Sequence, residues 1–225
     1  MRISVIIPVL NEEKTIAATL QALCPLAPHE ILLVDGGSQD RTRAICDRWA
    51  VELLSSERGR ARQMKYGARR ATGDVLLFVH ADTRLPATAL NDITLALRDA
   101  DCPGGRFDVE LDGAHWMFRI IAALINYRSR LTKVATGDQA LFIRRDVFER
   151  IAGFPDLPLM EDIALCRSLK RIGRMACLRS RVVTSARRWQ KDGLWRTIVK
   201  MWMLKLCYLA GVPPGRLKQF YADTR

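Results

Sequence analysis

An α/β fold, with a mostly parallel sheet flanked by helices, is the architecture this chain predicts. Three observations carry the prediction. Apolar runs at 3–9, 30–34, 51–54 and 74–79 recur with helical stretches between them. The run Leu76-Leu77-Phe78-Val79 is apolar at every position, as in a strand buried on both faces. Runs one, two and four give way to polar residues at their carboxyl ends, where open α/β sheets bind ligands. Repeated strand–helix units imply parallel strands joined by right-handed crossovers.

The first strand, 3–9, is rich in β-branched residues. Pro8 cannot donate to a ladder, so the strand is expected to stop there. Asn11 reads as the N-cap of a helix with Glu12 and Glu13 in its first turn. Ile16, Leu20 and Leu23 mark the apolar face of that helix. The second strand, 30–34, closes with Asp35-Gly36-Gly37-Ser38, and Asp40 and Thr42 open the next helix. The glycines permit positive φ and close approach of a ligand to the backbone. Asp35 is placed to accept hydrogen bonds from a base or ribose. The same residues also make a plain β–α turn. After the third strand, Arg58, Arg60, Arg62 and Lys65 surround Gly59 where a helix begins. The planar arginine fork suits diphosphate oxygens. A solvated basic face is the other reading.

The fourth strand ends in His80-Ala81-Asp82. Residues two positions apart on an extended segment point the same way, so His80 and Asp82 could face one ligand or one metal ion. A simple turn would also use the aspartate. A helix follows from Leu85-Pro86 to about Asp99. The rhythm then changes. A strand at 104–111 precedes a helix at 115–131 that carries Trp116, Ile120, Ala123, Leu124 and Tyr127. Gly137-Asp138-Gln139 leads into a strand at 140–143, then helices at 146–151 and 161–172, and a strand at 175–183. Glu161 and Asp162 fall in the first turn of their helix, where the macrodipole favours acids in any protein. A carboxylate behind the loop holding Pro155 and Pro158 can also face a cleft as a general base. The final helix, 193–209, puts Trp195, Ile198, Trp202, Leu206 and Leu209 on one side. Docking of that side on the core is the favoured expectation. A peripheral contact with anionic lipid through 193–210 and a homodimer contact fit the same pattern.

An apolar fraction of 49% excludes a disordered chain. A formal charge of +12 favours acidic partners: nucleic acid, anionic lipid or phosphorylated ligands. The six cysteines show no C-x-x-C pair and no zinc spacing, which fits reduced thiols in the cytoplasm. No secretory leader and no run of ~18 apolar residues is read. A cytoplasmic location is expected, with room for a peripheral site on the inner membrane face.

Several segments, in order, carry a resemblance. Ile6-Ile7-Pro8-Val9-Leu10-Asn11-Glu12-Glu13 and Val34-Asp35-Gly36-Gly37-Ser38-Gln39-Asp40 open the pattern. Asp82, Gly137-Asp138-Gln139, Glu161-Asp162 and Arg187-Arg188-Trp189 complete it. The chain resembles the family 2 glycosyltransferases, and within them a bacterial subgroup, transferase 2 of the radical-SAM and selenodomain-associated set, linked to arsenosugar biosynthesis. The resemblance implies a Rossmann-like GT-A fold in one domain. Residues 1–100 would form a nucleotide-binding half and 101–192 an acceptor and catalytic half, with an amphipathic helix and tail at 193–225. It implies a hexosyltransferase that takes a sugar from a nucleoside-diphosphate donor with inversion, not a nucleic-acid binder. Asp162 maps to the base, with Glu161 beside it. Asp82 maps to the metal–diphosphate position. Pro8, Glu12, Asp35, Gly37, Arg60, Arg62, His80 and Arg188 map to the donor side, Gln139 and Trp189 to the acceptor side. His80 stands where the family's usual Asp-x-Asp has its first acid, so Mn²⁺ or Mg²⁺ is expected to bind more weakly. Two rivals stand beside this reading. A sugar nucleotidyltransferase usually has a glycine-rich loop after its first strand, and Pro8 to Glu13 holds no glycine. A non-catalytic basic binding module fits the charge but leaves the acids at element ends unexplained.

Overall fold

A computed structural model describes residues 1–220, the side chains of Arg188 and Asp192 excepted. The first half alternates strand and helix. It runs β1 (Ile3–Val9), α1 (Ile16–Leu23), β2 (Glu30–Asp35), α2 (Thr42–Cys46), β3 (Glu52–Ser55), α3 (Arg60–Arg70) and β4 (Val75–Phe78). Next come β5 (Thr83–Arg84), α4 (Ala89–Ala96), β6 (Gly104–Asp112), α5 (Trp116–Thr132), β7 (Leu141–Arg144) and α6 (Arg145–Arg150). The chain continues with α7 (Glu161–Leu169), β8 (Ala176–Ser185), α8 (Arg187–Asp192), α9 (Leu194–Leu209) and α10 (Pro214–Gln219). The eight strands form one mixed sheet in the order β3-β2-β1-β4-β7-β6-β8-β5.

β3, β2, β1 and β4 are parallel, as the strand–helix alternation requires. Their side chains alternate between two cores. Val5, Ile7 and Val9 face the core that holds α1 and α4, while Ile6, Leu32 and Leu76 face the core that holds α3 and α7. Burial on both faces is why these strands carry no polar alternation.

Three local expectations are corrected. Pro8 does not end β1, which stays paired to β2 through Val9. Ile6 O accepts from Val79 N and Val9 O from Gly36 N, so Pro8 points toward β4, where the ladder has already ended at Phe78. The missing donor therefore costs no bond. Asn11 is not an N-cap. It sits at φ +54° and its Oδ1 accepts the Gln39 N–H at 2.9 Å, joining the loops after β1 and β2. α1 starts later, at Ile16. The helix expected from Leu85 is shorter, Ala89–Ala96, because Thr83 and Arg84 form an edge strand on β8.

β7 enters antiparallel between β4 and β6, with Phe78 opposite Leu141. The chain after Phe78 and the chain before Leu141 therefore leave the sheet at the same end. The β5–β8 pairing sets Thr83 opposite Thr184, which returns the start of α8 to the Asp82 turn. α5 is pinned across β6 by Asn126, whose side chain donates to Val109 O at 2.9 Å and accepts from Val109 N at 2.8 Å. The buried Arg106–Asp108–Arg130 network adds a second fastening.

Candidate active site

A cleft of about 570 Å³ opens at the carboxyl end of β1 and β4. The end of β1 and the loop after it bring Pro8 and Glu12 to its wall, and the turn after β4 brings His80 and Asp82. Thr19 donates to Ala81 O at 2.8 Å, which fixes that turn. Arg187 bridges the two loops. Its Nη2 donates to Glu12 Oε2 at 3.0 Å and to Asp82 Oδ2 at 3.3 Å. Burial pushes the Asp82 carboxyl up from its ordinary value. The Glu12 charge adds to the rise, and Arg187 opposes it.

The opposite wall is built around Asp162 at the start of α7. Its Oδ2 accepts the Gly137 N–H at 2.8 Å, and its Oδ1 accepts the Ile163 N–H at 2.7 Å. Burial, then the neighbouring Glu161 charge, pushes the Asp162 carboxyl up to about 6, against the pull of these two donors and Arg60. Such a carboxylate is ionised at neutral pH yet retains appreciable basicity, the balance a general base needs. Glu161 is buried, with Arg60 Nη1 at 3.9 Å from its Oε1. Gly137 also abuts the turn after β4: a Cβ there would lie 2.4 Å from His80 Nε2. The His80 turn and the loop that holds Asp162 are thus in direct contact.

The family 2 glycosyl transferase model matches residues 4–152. The chain belongs to glycosyl transferase family 2. Its sequence is 26% identical to glycosyltransferase AglD of Haloferax volcanii over 68% of this chain and 26% of that protein. It spans between about a quarter and just over half of the curated relatives it matches. Its fold is similar to the mannosyltransferase PcManGT of Pyrobaculum calidifontis, solved with GDP-Man and Mn²⁺. There the TM-score is 0.66 at 21% identity, covering 92% of this chain and 61% of that one. S. aureus TarS, solved with UDP-GlcNAc, gives 0.64 at 20% identity, covering 82% and 58%. The eight-stranded mixed sheet is thus a GT-A fold.

In this family 2 chain the residues read from sequence divide into two groups. Pro8, Glu12, Arg60, His80, Asp82, Glu161, Asp162 and Trp189 line one cleft. Asp35, Gly37, Arg62 and Gln139 are outside its lining. Asp35 is buried at the end of β2 and already engaged. It accepts from Ser38 Oγ at 2.6 Å and from Arg43 Nη1 at 2.8 Å. Gly37, at φ +91°, serves the turn between these groups. Arg62 points the other way, to Glu57 at 2.7 Å and Asp156 at 3.1 Å. Gln139 is fully buried. Its amide spans Thr136 N and Phe107 O, and so stiffens the Gly137 loop from behind. The side chain of Arg188 lies outside the described residues. Arg187, Gly137, Arg128 and Lys205 belong to the cleft but were not singled out as site residues. The Arg187-Arg188-Trp189 and Gly137-Asp138-Gln139 segments were the available signals for the first two.

Among the described residues no three of His, Cys, Asp and Glu come together as a metal-holding group. The donor set at Asp82 still fits a hard divalent cation, because Mg²⁺ is commonly held by one or two carboxylates plus substrate phosphates.

Residues of α5 and α9 wall the cleft on another side. Here the docking expectation for α9 is corrected. Thr197 and Leu204 are its buried positions, whereas Trp195, Trp202, Leu206 and Leu209 are exposed. The helix is apolar around most of its circumference, and Leu204 with its neighbours already fills the space over Leu159, Met160 and Ile163.

Proposed function

We propose that this chain transfers a hexose, with inversion, from a nucleoside-diphosphate donor to an acceptor hydroxyl, with Asp162 as general base. The observation that carries the reading is that Asp82 and Asp162, far apart in sequence, face one cleft. The Asp162 carboxylate takes the acceptor hydroxyl proton as that oxygen bonds to the anomeric carbon. The bond from that carbon to the diphosphate breaks on the opposite face, and the nucleoside diphosphate leaves. Positive charge must stabilise the leaving group. Arg60 and Arg187 are the cleft cations nearest the donor wall. Pro8, Glu12 and His80 shape the place of the donor, with Asp35 and Gly37 holding the adjoining loop. Mn²⁺ or Mg²⁺ bound through Asp82 would supply Lewis-acid charge to the diphosphate. His80, a neutral imidazole in place of an acid, lowers affinity for that ion.

The family match and the nucleotide-sugar complexes of PcManGT and TarS support the donor class. Residues 1–100 would then bind donor and 101–192 acceptor, with Trp189 at the acceptor end. The resemblance of its motifs supports reading the chain as a cytoplasmic transferase of the radical-SAM-associated set. The basic binding module is the weaker reading, since Glu12, Asp82, Glu161 and Asp162 would repel a phosphate backbone.

Asp162→Asn tests the assignment. The expected variant binds nucleoside diphosphate in calorimetry as the parent does and turns over donor at least about 100-fold more slowly, the usual contribution of a general base. Turnover at the parent rate would remove Asp162 from the role.

A further inference from the structure

Among the described residues, eleven of the sixteen exposed large hydrophobic side chains lie on two helices. On α5 they are Trp116, Ile120, Leu124, Tyr127 and Leu131, spaced three or four apart along one stripe. On α9 they are Trp195, Val199, Trp202, Met203, Leu206 and Leu209, again on one stripe. On their inner sides Ile121 and Phe118 of α5 and Ile198 and Leu194 of α9 join one apolar cluster. Their outer stripes flank the cleft, and Leu124, Tyr127, Leu131 and Trp202 both line it and stand exposed at its mouth. A water-facing apolar surface of this extent marks an interaction site.

We propose that this two-helix face seats the protein on an anionic membrane surface, with the mouth of the cleft turned toward the lipid. The charge pattern selects the occupant. Residues 113–137 and 193–222 contain no aspartate or glutamate, yet carry arginines and lysines throughout. Arg119 and Arg196 are exposed beside the stripes. Such a surface attracts anionic headgroups, while tryptophan and tyrosine suit the depth where hydrocarbon meets water. A second copy of the same face would bring cation against cation with no acid to answer it. The notion that the cleft then receives an acceptor with an apolar body rests on the transferase reading. The docking itself does not.

The test mixes the full chain with sedimentable vesicles of phosphatidylcholine, alone or with phosphatidylglycerol. The chain is expected to pellet with the anionic vesicles, with a blue shift in tryptophan emission, and to be released by salt. Trp195→Glu with Leu206→Glu is expected to stay in the supernatant. Arg119→Gln with Arg196→Gln is expected to lower partitioning roughly thirtyfold, about fivefold per charge. Both pairs should bind nucleoside diphosphate as the parent does, which separates a failed docking surface from a failed transferase. Parent protein left in the supernatant with both vesicle types overturns the proposal. So does parent-like pelleting of the Trp195→Glu, Leu206→Glu pair. Sedimentation equilibrium that shows a dimer, split by that same pair, would give the face to a second copy instead.

Discussion

Replacing Gly137 with alanine perturbs a place where two walls of the cleft meet. The added Cβ would fall 2.4 Å from His80 Nε2 and 2.8 Å from His80 Cε1, against about 3.4 Å for ordinary contact. The imidazole or the loop must therefore move by about 1 Å. The His80 turn also carries Asp82, and the Gly137 N–H holds Asp162 at 2.8 Å. Either movement spoils one half of the site. A misplacement of about 1 Å costs on the order of 100-fold in rate, which is ~2.7 kcal/mol of barrier. The assay is release of nucleoside diphosphate from the donor at saturation, for Gly137→Ala, His80→Ala and the double variant. With the imidazole gone the methyl has room, so Gly137→Ala should cost nothing further in the His80→Ala background. Parent-like turnover of the single variant, or an undiminished loss in the double, would refute the contact as the cause.

Turnover should rise with pH through about 6 as the Asp162 carboxyl ionises. Because its pKa is raised on folding, this group's contribution to stability is present below about 4 and is lost as pH climbs through about 6, and Asp162→Asn should flatten that slope in denaturation midpoints. Arg187→Gln leaves Glu12 and Asp82 facing each other without their shared cation. Chemical denaturation should show a loss of roughly 1–2 kcal/mol, below the figure for a fully buried pair because Arg187 is about a third exposed. Asp82→Ala should weaken nucleoside-diphosphate binding chiefly when Mn²⁺ is present, and calorimetry with and without chelator decides it.

The parallel half was legible because hydrophobic period and turn chemistry agree there. Apolar runs of strand length, three of them followed within three residues by Asn11, Asp35 or Asp82, leave few alternatives. The clamp of arginines was legible in composition and not in direction. Arg60 and Arg62 are two apart on α3, so they point about 200° from each other around the axis. One enters the cleft and the other reaches Asp156. Gln139 maps to the acceptor side because Gly137-Asp138-Gln139 resembles a family segment. Its hydrogen bonds are instead spent on the backbone of its own loop and of β6. The inward face of α9 was not readable, since a helix apolar around most of its surface does not announce which side meets the core. Arg187 was hidden for a different reason. Its partners Glu12 and Asp82 lie on loops that only the sheet order makes adjacent.

That sheet order is the element on which the site depends. The strand–helix alternation predicts further parallel strands, and a parallel β7 beside β4 would begin at the opposite end of their four-residue ladder, about 10 Å away. Gly137 would then lie below the sheet, out of reach of His80. The antiparallel entry, with Phe78 opposite Leu141, instead sends the Gly137 loop out beside the His80–Asp82 turn. The loop then holds Asp162 by one N–H, and this carboxylate lines the same cleft as His80 and Asp82. A chain that makes one strand reversal at this position joins the parallel half of the sheet to a carboxylate carried on a later helix. No single motif encodes that junction. It follows from pairing register, which is why the acids could be named from the sequence but their meeting could only be read from the fold.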